Sequence, residues 1–147
     1  MVDLVNLEAW AITEGYDPDV TYSDAATLPP GYVAPNFREA EFACNHCGAL
    51  PPGGMDGELI ATLQAIRSHY GVPVIINSGY RCRVHNANVG GAPNSQHRFG
   101  KAADFVVRGV PAPEVFAMLD RDWQGGLGRY ASFTHIDTRG ARARWSG

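Results

Sequence analysis

Ser95-Gln-His-Arg-Phe-Gly-Lys-Ala-Ala-Asp104 closes a long polar stretch and opens a short apolar one. It sets His97 at the end of a loop and Asp104 inside the strand that follows. The small residues Gly100, Ala102 and Ala103 lie between them, where the backbone can turn back and pack closely. His135 comes 31 residues after Asp104, in the alternating run Phe133-Thr-His-Ile-Asp137 that predicts another strand. Two imidazoles and one carboxylate satisfy a borderline metal such as zinc and leave a fourth position for water. That open position separates a catalytic site from a closed structural one. Taken alone, the H-x6-D spacing favours a plainer account, with ordinary polar histidines and Asp104 capping a turn. The surrounding sequence decides for the metal.

Upstream, Val74, Ile75 and Ile76 form a short apolar strand that runs straight into Ser78-Gly-Tyr-Arg81. Before it, Glu58 to Tyr70 carries Leu59, Leu63, Ile66 and Tyr70 at helical spacing, and Gly71 and Pro73 end that helix. The stretch Pro35 to Gly48 predicts a short helix, with Asn36 as its cap and Glu39 three residues on. From Ser78 to Phe99 the chain is rich in Gly, Asn, Arg and His and lacks an apolar period. This predicts a long irregular loop, and such loops in compact domains are usually functional. Ala102 to Val107 returns to strand character, Pro111 to Arg121 predicts a helix, and Gly125, Gly126 and Gly128 predict a turn. The pattern is α+β: a small antiparallel sheet with flanking helices and the polar loop on one side.

The 147 residues fit one domain, and a hydrophobic content of 45% supplies a real core. Residues 1–35 read as an attached leader, in which Leu4, Leu7, Trp10 and Ala11 share one helical face; the domain then occupies 36–147. A net charge of −3 argues against a nucleic-acid partner, although Arg139, Arg142 and Arg144 cluster locally. No apolar run approaches the roughly 20 residues of a membrane helix, so no membrane insertion is expected. The acidic start, with Asp3 and Glu8, is not a secretory signal. Cys44 and Cys47 form a C-x-x-C around His46, and Cys82 lies far along the chain. Buried thiols or a single disulfide account for them more simply than a structural zinc on these four residues, because Cys82 has no partner ligand beside it.

Three ordered motifs together resemble the M15 family of zinc peptidases: Ser78-Gly-Tyr-Arg81, the S-x-H-x-x-G-x-A-x-D of 95–104, and the H-x-D of 135–137. The ending Phe133-Thr-His-Ile-Asp-Thr-Arg-Gly140, followed by Ala143-Arg-Trp145, resembles one branch of it. The resemblance covers about residues 36 to 147. It implies the fold shared by D-Ala-D-Ala peptidases and the hedgehog signalling domain. It also implies one catalytic zinc on His97, Asp104 and His135, and a substrate among the stem peptides of bacterial peptidoglycan. Arg81 is then expected to hold a substrate carboxylate and polarise the carbonyl, with a structural arginine as the alternative. Ser95 either contacts substrate or caps a turn.

Several relatives place a proton-accepting acid three residues before the last zinc histidine, where this chain has Ser132. Asp137 is the expected substitute, since in a strand it shares a face with His135; a supporting partner to His135 or a salt bridge to Arg139 or Arg142 is an equal alternative. Hydrolysis by a carboxypeptidase or an endopeptidase is the expected function, in a monomer. The setting expected is a phage lysis enzyme, held in the cytoplasm until host lysis or carried on a virion. A catalytically weak zinc-containing binding module of the same fold is the alternative, because of Ser132.

Overall fold

The computed structural model describes residues 28–147. The helical face expected of Leu4, Leu7, Trp10 and Ala11 lies outside the described residues. Strand β1 (Tyr32–Ala34) pairs antiparallel with β2 (Phe37–Arg38), and a 3-10 turn follows at Glu39–Phe42. Ala34 is fully buried in the core, so the chain joins the domain slightly before residue 36. Helix α1 spans Gly57–Tyr70, strand β3 Val74–Ser78, helix α2 Arg83–Asn88 and a second 3-10 turn Gln96–Phe99. Strand β4 (Ala102–Val107), helix α3 (Ala112–Asp120) and strands β5 (Gly126–Arg129), β6 (Thr134–Asp137) and β7 (Ala143–Ser146) complete the fold.

Five strands form one sheet in the order β3-β4-β6-β5-β7, antiparallel except where β7 runs parallel to β5. The α+β class with a small, mainly antiparallel sheet is thus as the sequence predicts. Alternation then gives the sheet two chemically different faces. Ala103, Phe105, Leu127 and Ile136 enter the core with Leu59, Leu63 and Ile66 of α1 and Val115 and Leu119 of α3. Each fully buried Leu, Ile or Phe contributes about 1.5–3 kcal/mol. The opposite face carries Asp104, His135 and Asp137.

Helix α1 starts where the Asp56 carboxylate accepts the Leu59 N–H at 3.1 Å. It ends at Gly71 with φ +67°, a left-handed cap that Gly adopts without strain.

Three local expectations need correction. Pro35 to Gly48 is not a helix with Asn36 as its cap. Asn36 instead exchanges hydrogen bonds with the buried Gln64, at 3.0 and 2.8 Å, and β2 and the 3-10 turn follow. The polar stretch 78–99 contains α2 and a 3-10 turn rather than irregular loop throughout. The glycines of 126–128 lie in strand β5, not in a turn. In the first and third, tertiary pairing overrides local propensity; in the second, a short helix forms behind a local cap, the Cys82 sulfur accepting the His85 N–H.

Candidate active site

The register of β4 and β6 sets Asp104 directly opposite His135, and Ala102 opposite Asp137. His97 arrives from the 3-10 turn, whose first N–H groups are organised by Ser95: its hydroxyl accepts the His97 N–H at 3.3 Å. Gly100, at φ +69°, then turns the chain into β4. His97, Asp104 and His135 consequently meet at one point, each buried, with their ligand atoms all within 4.8 Å of one another.

The hydrogen bonds behind each imidazole fix which nitrogen faces inward. His97 Nδ1 lies 2.7 Å from the Gly79 carbonyl, which can only accept, so Nδ1 carries the proton and Nε2 presents its lone pair. That Nε2 stands 3.2 Å from Asp104 Oδ1. His135 Nε2 donates to Asp137 Oδ2 at 2.7 Å, which leaves Nδ1 facing the same Asp104 Oδ1 at 2.9 Å. Two nitrogens and a carboxylate oxygen that converge in this way suit a cation between them. Burial opposes charge on His135, but the carboxylates of Asp104 and Asp137 outweigh it and raise its pKa above the usual imidazole range. Burial likewise opposes ionisation of Asp104, yet its hydrogen bonds to His135 and His97 hold it well below the usual carboxylate range. A metal ion there would displace the proton of His135. The donor set suits zinc, which accepts nitrogen and oxygen ligands in a four-coordinate site.

Asp137 is fully buried and has no unused oxygen. Oδ1 accepts from Gly126 N at 3.0 Å, Arg139 N at 3.2 Å and Arg139 Nε at 2.8 Å. Oδ2 accepts from His135 and from Arg139 Nη2 at 2.8 Å. Burial opposes its charge, but His135 and Arg139 keep its pKa well below the ordinary value.

Arg81 reaches the site from the end of β3. Its guanidinium donates to Ser78 Oγ at 3.1 Å and to Asp104 Oδ2 at 3.0 Å, and Nη1 lies 3.5 Å from Asn86 Oδ1. These contacts use three of five N–H donors. Ser132 lies beside a surface pocket with Phe105, Val110 and Val115, on the sheet side that faces α3. The basic residues near the C-terminus are absorbed by the fold. Arg139 binds Asp137, while Arg142 and Arg144 bond the Trp123 and Gly125 carbonyls and Asp120.

Several site residues escape the sequence reading. Trp145 packs on His135 with ring centroids 5.0 Å apart, lies 4.9 Å beneath the Arg139 guanidinium, and donates to Tyr130 Oη at 3.0 Å. Glycines clear the space for these groups. A Cβ on Gly126 would stand 2.3 Å from Asp137 Oδ2, and one on Gly128 would stand 2.5 Å from Trp145 Nε1. The Gly-Gly-Leu-Gly run was the available signal, since glycine within a strand marks close approach by another group. Gly126→Ala is expected to destabilise the protein by about 1–3 kcal/mol by overpacking this site. A thermal melt beside wild type checks it, and an unchanged midpoint would show that Asp137 is not held as described.

A buried His-Asp-His cluster on a sheet face, with an arginine at its edge, suits a metal ion. The family model for Peptidase M15 matches residues 35–137, and the chain belongs to that family. One relative is the probable peptidoglycan L,D-endopeptidase MepK of Haemophilus influenzae, 34% identical over an alignment of 103 positions that covers 63% of this chain and 55% of that protein. Another is the zinc D-Ala-D-Ala carboxypeptidase of Streptomyces albus G, 51% identical over an alignment of 79 positions that covers 47% of this chain and 30% of that protein. The matches thus span about half of the first relative and under a third of the second.

Proposed function

We propose that this chain hydrolyses peptide bonds in the stem peptides or cross-links of bacterial peptidoglycan, using one zinc ion held by His97, Asp104 and His135. The observation that carries this reading is the convergence of three buried ligand atoms whose inward faces are fixed by hydrogen bonds from behind. The names of both relatives support the substrate class. The reading includes the fold of the D-Ala-D-Ala peptidases and the hedgehog signalling domain that the motifs imply.

Zinc, when bound, supplies Lewis acidity toward the scissile carbonyl and brings the pKa of water down to about 7. The chain's own residues prepare the site. Gly79 and Asp137 hold the two imidazoles in the tautomers that present lone pairs inward. Of the two roles weighed for Asp137, positioning His135 fits its surroundings, because a base needs an oxygen open to the proton it takes. Arg81 anchors Asp104 through one carboxylate oxygen and keeps donors for a substrate carboxylate or carbonyl. Ser95 acts by capping the turn that delivers His97.

The test is mass spectrometry of purified peptidoglycan digested by the zinc-loaded protein, with His97→Ala as control. Products from wild type alone support hydrolysis. Free alanine identifies a carboxypeptidase, and loss of cross-linked dimers identifies an endopeptidase. An untouched wall with zinc still bound would favour the second reading, a binding module, for which Ser132 is the specific observation.

A further inference from the structure

Among the described residues, one other set of metal-ligating side chains converges, well separated in composition from the first. Cys44, Cys47 and Cys82 bring their sulfur atoms within 4.8 Å of one another, and all three are free thiols. On the sequence alone Cys82 lacks a partner; the fold supplies two by bringing it to Cys44 across 38 residues. A single disulfide would use only two of the three sulfurs and leave the third against it.

The surrounding backbone is arranged for thiolates. Cys44 and Cys47 sit in a tight turn closed by Gly48 N donating to the Cys44 carbonyl at 2.8 Å and Cys44 N donating to the Ala49 carbonyl at 2.8 Å. Gly48 takes φ +74°, which permits the reversal immediately after Cys47. The Cys82 N–H donates to Cys44 Sγ at 3.4 Å, and the His85 N–H donates to Cys82 Sγ at 3.4 Å. N–H groups aimed at sulfur favour its ionised, ligating form.

We propose that Cys44, Cys47 and Cys82 bind a second zinc ion, structural in role and distinct from the one at the His-Asp-His site. Soft thiolates select zinc over the hard cations, and a C-x-x-C pair joined by a distant cysteine is a common zinc arrangement. A closed structural site needs a fourth protein ligand, which His46 or His85 would supply by turning a ring nitrogen toward the three sulfurs; their rings stack with centroids 6.1 Å apart and lie near Cys47 and Cys82 in sequence. The ion ties the 44–47 turn to the segment that serves the active site. Tyr80 N donates to the Phe42 carbonyl at 2.8 Å, Gly79 carries the carbonyl that holds His97, and Arg81 N donates to the His97 carbonyl at 3.0 Å. Gly79 packs so closely on Phe42 that a Cβ would lie 2.8 Å from its backbone. Loss of the second ion therefore loosens Arg81 and His97 together.

The experiment loads the full chain with zinc or with cobalt(II) alone and compares wild type, His97→Ala and Cys82→Ser. Elemental analysis is expected to give two zinc ions per wild-type chain and one in each variant. With cobalt(II), a thiolate-to-metal charge-transfer band is expected in wild type and His97→Ala and absent from Cys82→Ser, since the His-Asp-His site contains no sulfur. A single zinc in wild type that vanishes in His97→Ala, with no charge-transfer band, overturns the proposal. So does an intact mass that shows a disulfide in freshly purified protein. If Cys82→Ser does not fold, wild type and His97→Ala decide the matter alone. If the sulfur band survives while peptidoglycan stays uncut, the second zinc stands and only the functional reading fails.

Discussion

Asp104→Ala is expected to abolish hydrolysis, by a factor on the order of 10³ or more, and to empty the active site of zinc. The size of the effect follows from how many groups this one carboxylate serves. Oδ1 faces both imidazoles, and Oδ2 holds Arg81 in a pair whose partners are only 15% and 10% exposed. Removing the carboxylate therefore takes away one of the three proposed ligands and leaves a largely buried guanidinium without its counter-charge. Breaking a buried pair in this way costs about 3–5 kcal/mol, so the thermal midpoint should fall as well. Zinc stoichiometry, product release from peptidoglycan and a thermal melt on the same preparation check all parts together. Retained zinc with retained turnover would remove Asp104 from the ligand set.

Asp137→Asn separates the two roles its position allows. Asparagine keeps the shape and can still accept from His135 Nε2, but it lacks the charge that holds both His135 and Arg139. A positioning role predicts zinc affinity weakened by about 10–100-fold, with activity largely restored when zinc is added in excess. A proton-accepting role predicts the reverse: unchanged zinc affinity and turnover reduced by about 10²–10⁴-fold at saturating zinc. The first outcome is expected, because the carboxylate is fully buried and both of its oxygens are already occupied. Zinc titration against a competing chelator, alongside turnover at several zinc concentrations, distinguishes them.

Much of this site is legible in the chain because its parts are short and local. His97 and Ser95 lie in one turn, so the cap and the residue it delivers appear as adjacent letters. Strand alternation places His135 and Asp137 on one face without further information. The helix over Gly57–Tyr70 is announced by its apolar period and by Gly71 at its end. Where reading fails, the deciding partner is remote. Pro35 to Gly48 has the letters of a capped helix, but Gln64 claims Asn36 and the chain forms a hairpin instead.

The class of fold, the family motifs and the identity of the three converging residues can all be read from the letters of the chain. Periodicity sets which elements form, and a ligand motif needs its particular side chains at particular spacings. The folded arrangement settles that Asp137 is enclosed and bonded at both oxygens, that Trp145 lies on His135, and that the β5 glycines make room for them. It also decided that Cys82 completes a cluster with Cys44 and Cys47. These features depend on strand register and burial, which bring together groups far apart in the chain. Neighbouring residues carry no record of such contacts.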